Sequence, residues 1–185
     1  LAEQVVKDAA VSAFNSAGQR CSALRLLCVQ NDVADEITAM LIGRMKELVI
    51  GDPSQLRTDV GPVIDPAAVE MLRAYVESRR DRVLFECRQN QSHDAGCYFP
   101  PTLVELSNVS ELTREVFGPV LHVVRFDAGE INSLVDDLNA VGYGLTLGVQ
   151  SRVASVSRYV EEHARVGNIY INRDMIGAVV GVQPF

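Results

Sequence analysis

Apolar residues recur near the start of the chain at Val5, Val6, Ala9, Ala10, Ala13 and Phe14. That i, i+4, i+8 spacing predicts an amphipathic helix over residues 2–14. Ser16-Ala17-Gly18 closes it, because glycine accepts the left-handed turn that ends many helices. The run LRLLCV at residues 24–29 reads as a buried strand. Asp32 is then expected to cap a helix running to about Leu48, with Val33, Ile37, Met40, Leu41 and Leu48 on one side. Gly51-Asp52-Pro53 breaks the chain. Asp65-Pro66 has the form of an N-cap followed by proline at the first helical position, and that helix carries Val69, Leu72 and Val76 inward before ending near Arg80.

The second half alternates. Strands are expected at 82–86, 102–106, 119–126, 145–149 and 167–172, helices at 131–138 and 153–163, and a polar loop (QNQSHDAG) from Gln89 to Gly96. Strands alternating with helices imply the α/β class, with a largely parallel sheet covered by helices on both faces. There is no internal repeat, linker or low-complexity stretch. A length of 185 residues suits a single domain, residues 1–185, or one large piece of a domain.

Composition narrows the function classes. Hydrophobic residues at 48% and charged residues at 22% support a packed core. A net charge of −7 without a Lys/Arg cluster argues against nucleic-acid or anionic-membrane partners. No apolar run approaches the ~20 residues of a membrane-spanning helix. The start, Leu1-Ala2-Glu3-Gln4, has no initiator methionine, basic head or long apolar centre, which favours a segment of a longer protein over a signal peptide. The four cysteines, Cys21, Cys28, Cys87 and Cys97, show no C-x-x-C spacing, and the composition is that of a cytoplasmic enzyme with free thiols.

Chemistry centres on FNSAGQRCSALR, residues 14–25. Cys21 follows a Gly-Gln-Arg break between two apolar runs. Two readings stand on that pattern: a small core thiol, or a nucleophile in a turn whose backbone N–H groups and neighbouring arginine favour the thiolate and hold an oxyanion. Cys28 lies within the apolar strand and reads as packing. Cys87, His93 and Cys97 have no standard metal-ligand spacing and no fourth ligand, so no metal is expected. His122, inside an apolar strand, reads as a satisfied core or sheet-face histidine. His163 lies at a helix end, where a cation suits the dipole.

The stretch SAFNSAGQRCSALR resembles the cysteine motif of the aldehyde dehydrogenase superfamily. Arg114-Glu115-Val116-Phe117-Gly118-Pro119-Val120 resembles its cofactor-contacting segment. Val166-Gly167-Asn168-Ile169-Tyr170-Ile171-Asn172-Arg173 resembles a late strand, and Asn139 with Tyr143-Gly144-Leu145 falls between them in order. Cys21-Ser22-Ala23-Leu24-Arg25 and the tail from Asn172 to Phe185 are most similar to the 1-pyrroline-5-carboxylate (L-glutamate γ-semialdehyde) dehydrogenase half of bifunctional proline utilization A.

The resemblance implies an NAD-dependent oxidation of an aldehyde in proline catabolism. Cys21 is then the nucleophile, forming a hemithioacetal and then a thioester, and its own N–H helps hold the oxyanion. Ser22 contacts the substrate carboxylate. Glu115 binds the nicotinamide ribose as a cofactor-binding residue, and Phe117 packs near the nicotinamide. The resemblance further implies a homo-oligomeric parent and a small-molecule aldehyde substrate. FAD would belong to a fused proline dehydrogenase domain outside these residues. There is no Gly-rich dinucleotide fingerprint, so the NAD-binding domain is expected beyond these residues, and the resemblance implies that the general-base glutamate and the substrate anchor loop lie there too. The segment is expected to be most of the catalytic domain and inactive alone. Three other readings remain: a dehydrogenase for a different aldehyde or a CoA-acylating relative, a non-catalytic dimerisation or scaffold module, and a thiol hydrolase, the last without a histidine partner.

Overall fold

The computed structural model describes residues 1–88, 96–178 and 181–182. Most of the loop expected at Gln89 to Gly96, His93 within it, and residues 179–180 and 183–185 of the tail motif lie outside the described residues.

The chain opens with helix α1 (Ala2–Phe14), whose buried stripe includes Val6, Ala9, Ala10, Ala13 and Phe14, followed by a 3-10 turn at Asn15–Gly18. Strand β1 (Leu26–Gln30) leads directly into α2 (Asn31–Lys46). Gln30, not Asp32, is the α2 cap residue. Asp32 instead lies in the first turn, where its carboxylate accepts from the Gln30 side chain at 2.5 Å and complements the helix dipole. The buried face of α2 is Ala34, Ile37, Thr38, Leu41 and Met45. Val33, expected inside, lies in the first turn and is exposed, whereas Ile37 and Leu41, expected on the same side, are buried.

Helix α3 (Pro66–Glu77) begins as the Asp-Pro signature implies: Asp65 Oδ1 accepts from the Ala68 N–H at 2.7 Å. It buries Val69, Leu72 and Val76 as expected, and Tyr75 besides. After it come β2 (Val83–Glu86), β3 (Thr102–Leu106), β4 (Val120–Phe126), α4 (Ile131–Val141), β5 (Thr146–Val149), α5 (Ala154–His163) and β6 (Asn168–Ile171).

The strands form two sheets. One has the order β1-β4-β3-β2 and the other pairs β5 with β6. Among the described residues three strand pairings are parallel and one, β2 with β3, is antiparallel. Residues Val120 to Val124 of the central strand β4 are buried at every position, so both faces of the sheet are covered there. The main core gathers Phe14, Leu41, Met45, Leu72, Leu103 and Leu121. A smaller cluster of Val135, Val149 and Val160 joins α4 and α5 to the second sheet. No helix among the described residues is long and apolar enough to cross a membrane.

Candidate active site

Because β1 and β4 are parallel neighbours in register, with Leu26 opposite His122, the segments that precede them run side by side at one edge of the sheet. The thiol-bearing loop, residues 19–25, thereby meets residues 114–119. Two motifs about ninety positions apart become one site.

The loop is shaped by its backbone. Ser16, Ala17 and Gly18 have φ of 56°, 52° and 65°. The two non-glycine positions each cost roughly 1–2 kcal/mol in that region, a strain characteristic of segments fixed for function. A Cβ on Gly18 would lie 2.2 Å from the Gly118 carbonyl oxygen, and one on Gly118 would lie 2.6 Å from Leu72 Cδ1. Only two glycines allow the two backbones to touch over α3.

Cys21 sits at the turn that follows and is exposed. Two and three positions on, the Ala23 N–H donates to the Arg20 carbonyl at 3.1 Å and the Leu24 N–H to the Ser12 carbonyl at 2.9 Å. The Cys21 N–H itself donates to no acceptor among the described residues, which leaves it free for a ligand oxygen beside the sulfur. Gln19 ties one flank of the loop down: its amide donates to the Pro62 carbonyl at 3.2 Å and accepts from the Ile64 N–H at 2.8 Å.

Arg25 ties the other flank. Its side chain is 11% exposed. Nη1 donates to the carbonyls of Gly18 (2.5 Å) and Gly118 (3.3 Å), and Nη2 to that of Arg20 (3.0 Å). Nη2 and Nε both reach Glu115 Oε1, at 3.1 and 3.3 Å. The guanidinium lies 4.7 Å from the centre of the Phe117 ring. Burial lowers its proton affinity, while Glu115 and the nearby Cys21 raise it. It keeps its charge regardless, since a guanidinium does not deprotonate in a protein. Glu115 Oε2 takes no hydrogen bond among the described residues and remains an open acceptor.

Beneath this rim lies His122, with no exposed surface. Its Nδ1 bonds the Arg25 carbonyl at 2.7 Å, so Nδ1 carries the proton and Nε2 accepts from the Tyr75 hydroxyl at 2.8 Å. Burial pushes its pKa down to about 4, leaving a neutral ring with both nitrogens occupied. It is the satisfied core histidine expected, and it holds the backbone of Arg25. Cys28 and Cys87 are pushed up to about 12 by burial, and Cys87 donates to the Met45 carbonyl, as packing thiols do. No group of His, Cys, Asp or Glu among the described residues is arranged to hold a metal ion.

Cys21, Glu115 and Phe117 therefore come together on one exposed rim. Ser22, the fourth expected site residue, is 5% exposed; its carbonyl accepts from the Thr146 hydroxyl at 3.4 Å. The sequence reading assigned no role to Arg25 or Gln19. A signal existed for Arg25: a lone guanidinium opening a fully apolar strand must find several acceptors if it is to be buried.

The profile of the Aldehyde dehydrogenase family matches residues 2–185. The "Bifunctional protein PutA" of Klebsiella aerogenes is 52% identical over 192 residues, covering 100% of this chain. The chain spans 15% of that relative's length. A crystal structure of Bradyrhizobium japonicum proline utilization A superposes with a TM-score of 0.95 at 49% identity, over 100% of this chain and 19% of that one. A 1-pyrroline-5-carboxylate dehydrogenase from Thermus with bound NAD superposes with a TM-score of 0.90 at 28% identity, over 100% of this chain and 36% of that one.

Proposed function

Since the chain belongs to the aldehyde dehydrogenase family, we propose that it supplies the thiol-bearing part of an enzyme of proline catabolism that oxidises L-glutamate γ-semialdehyde, formed from 1-pyrroline-5-carboxylate, to L-glutamate. The substrate reading is supported by the relatives, which are proline utilization A and 1-pyrroline-5-carboxylate dehydrogenase. The observation that carries the chemistry is an exposed Cys21 sulfur beside its own undonated N–H, in a loop clamped to Glu115.

In this reading the Cys21 thiolate attacks the aldehyde carbon, forming a C–S bond and an oxyanion. The free Cys21 N–H donates to that oxygen, the interaction that strengthens as charge develops. The residues present fit a nicotinamide nucleotide. Glu115 Oε2 is available to accept from a ribose hydroxyl, and the Phe117 ring is 41% exposed as an apolar surface beside it. NAD+, when bound, supplies the acceptor for the hydride lost from the carbon. Cys21 is then left as a thioester, and water releases the carboxylate and restores the thiol. Ser22 is assigned to the substrate carboxylate by family resemblance. Arg25 and Gln19 keep the sulfur from swinging away.

The test is Cys21→Ser in the full-length protein, with NADH formation followed on 1-pyrroline-5-carboxylate and on unrelated aldehydes. Turnover should fall on the order of a thousand-fold or more, with no loss of the circular dichroism spectrum. Retained turnover would end the nucleophile assignment. A preference for another aldehyde would end the substrate assignment and leave the nucleophile standing.

A further inference from the structure

Arg25 is bonded to both halves of the site at once. On the thiol loop it holds the carbonyls of Gly18 and Arg20, the latter belonging to the residue joined directly to Cys21; on the other segment it holds the Gly118 carbonyl and Glu115 Oε1. Its plane rests against Phe117. Its own carbonyl takes two donors from His122, the backbone N–H at 2.9 Å and Nδ1 at 2.7 Å, so the residue is fixed at its backbone as well as at its fork. The Gly18–Gly118 approach removes any side chain that could separate the two segments. A guanidinium offers five donors in a rigid plane; an ammonium offers three from one point and cannot span these acceptors.

We propose that Arg25 is a positioning residue that couples the two segments, so that a change at Glu115 reaches the Cys21 sulfur through this guanidinium. Glu115 sets where the guanidinium sits, and the guanidinium sets the Gly18 and Arg20 carbonyls of the segment leading into Cys21. The coupling rests on the nucleophile assignment only for its importance to catalysis. It can be read from thiol reactivity without any dehydrogenase activity.

The experiment is a double-mutant cycle in the full-length protein. Cys21 alkylation by iodoacetamide is timed by peptide mass spectrometry in the parent, Glu115→Gln, Arg25→Met and the double variant, with Cys28 and Cys87 labelling as the internal report of an intact fold. Coupling predicts that Glu115→Gln changes the Cys21 rate by at least about threefold when Arg25 is present, and by less than half of that when it is absent. Should Arg25→Met expose Cys28, the cycle is read with Arg25→Lys, which keeps the charge but not the fork and should also lose the coupling. A residue that merely supports the fold would leave the Glu115→Gln effect the same in both backgrounds. That additivity, or a Cys21 rate indifferent to Glu115→Gln, would overturn the proposal. If the coupling holds while Cys21→Ser keeps its turnover, the coupling stands and the nucleophile assignment falls.

Discussion

His122 has no exposed surface and bonds at both ring nitrogens, to the Arg25 carbonyl and to the Tyr75 hydroxyl. Protonating Nε2 would remove its acceptor lone pair from Tyr75 and place a cation in the core beside Arg79 and Arg25, whose charges already oppose it. Its folded pKa of about 4 lies below an unfolded value of 6.5. The unfolded chain therefore binds the extra proton first. The stabilisation is full above pH 6.5 and is lost as pH falls towards 4, a difference on the order of 3 kcal/mol. The urea midpoint of the chain should fall across that window, and His122→Gln should flatten the fall there. The carboxylates of Glu111 and Asp52, held below their usual range, act at lower pH. An unchanged slope in the variant would refute the assignment. The buried, neutral character of His122 was legible from the apolar strand around it. Its partners were not, because Tyr75 and Arg25 lie 47 and 97 positions away.

Among the elements, α3 shows local chemistry working without help. Asp65 closes the first turn through the Ala68 N–H, and Pro66 fixes the next φ. Asp65→Ala should cost about 1 kcal/mol, read as a lower urea midpoint at unchanged slope; a stability loss within error would show that the cap is dispensable here. Helix α2 shows where local signals mislead. Asp32 has the right residue type for a cap, yet the chain turns from β1 into helix at Asn31 without a break, and no side-chain cap bond forms. Ala34, Thr38 and Met45 join Ile37 and Leu41 on the buried face, Val33 is exposed, and Leu48, past the helix end, packs partly buried against the core. Packing against the sheet decided the rotation, and an isolated helical pattern contains no term for it. The strands, by contrast, fall within about two residues of the positions their apolar runs predict, because short β-branched and apolar runs between turn residues have few alternatives.

For the whole molecule, the decisive fact is that Cys21, Glu115 and Phe117 stand on an open edge. Electrostatic stabilisation of an oxyanion needs a site that excludes water, and this chain spans 15% of the curated relative it matches at 52% identity. We propose that the purified 185-residue chain folds, forms no detectable NADH and binds NAD+ only weakly, whereas the full-length protein turns over. Circular dichroism, calorimetric titration and an NADH assay on both would check this, and robust turnover by the isolated chain would disprove it. The order of helices and strands, the α/β class and the turn that makes Cys21 the candidate thiol were readable from residue types, periodicity and motif, since burial and backbone preferences act over a few neighbouring positions. Strand neighbours were not. Nothing local states that β1 lies beside β4 and skips β2 and β3, or that β5 and β6 form a sheet of their own. Those pairings depend on long-range packing, and the β1–β4 pairing alone lays Glu115 beside the cysteine loop and gives Arg25 acceptors on both sides.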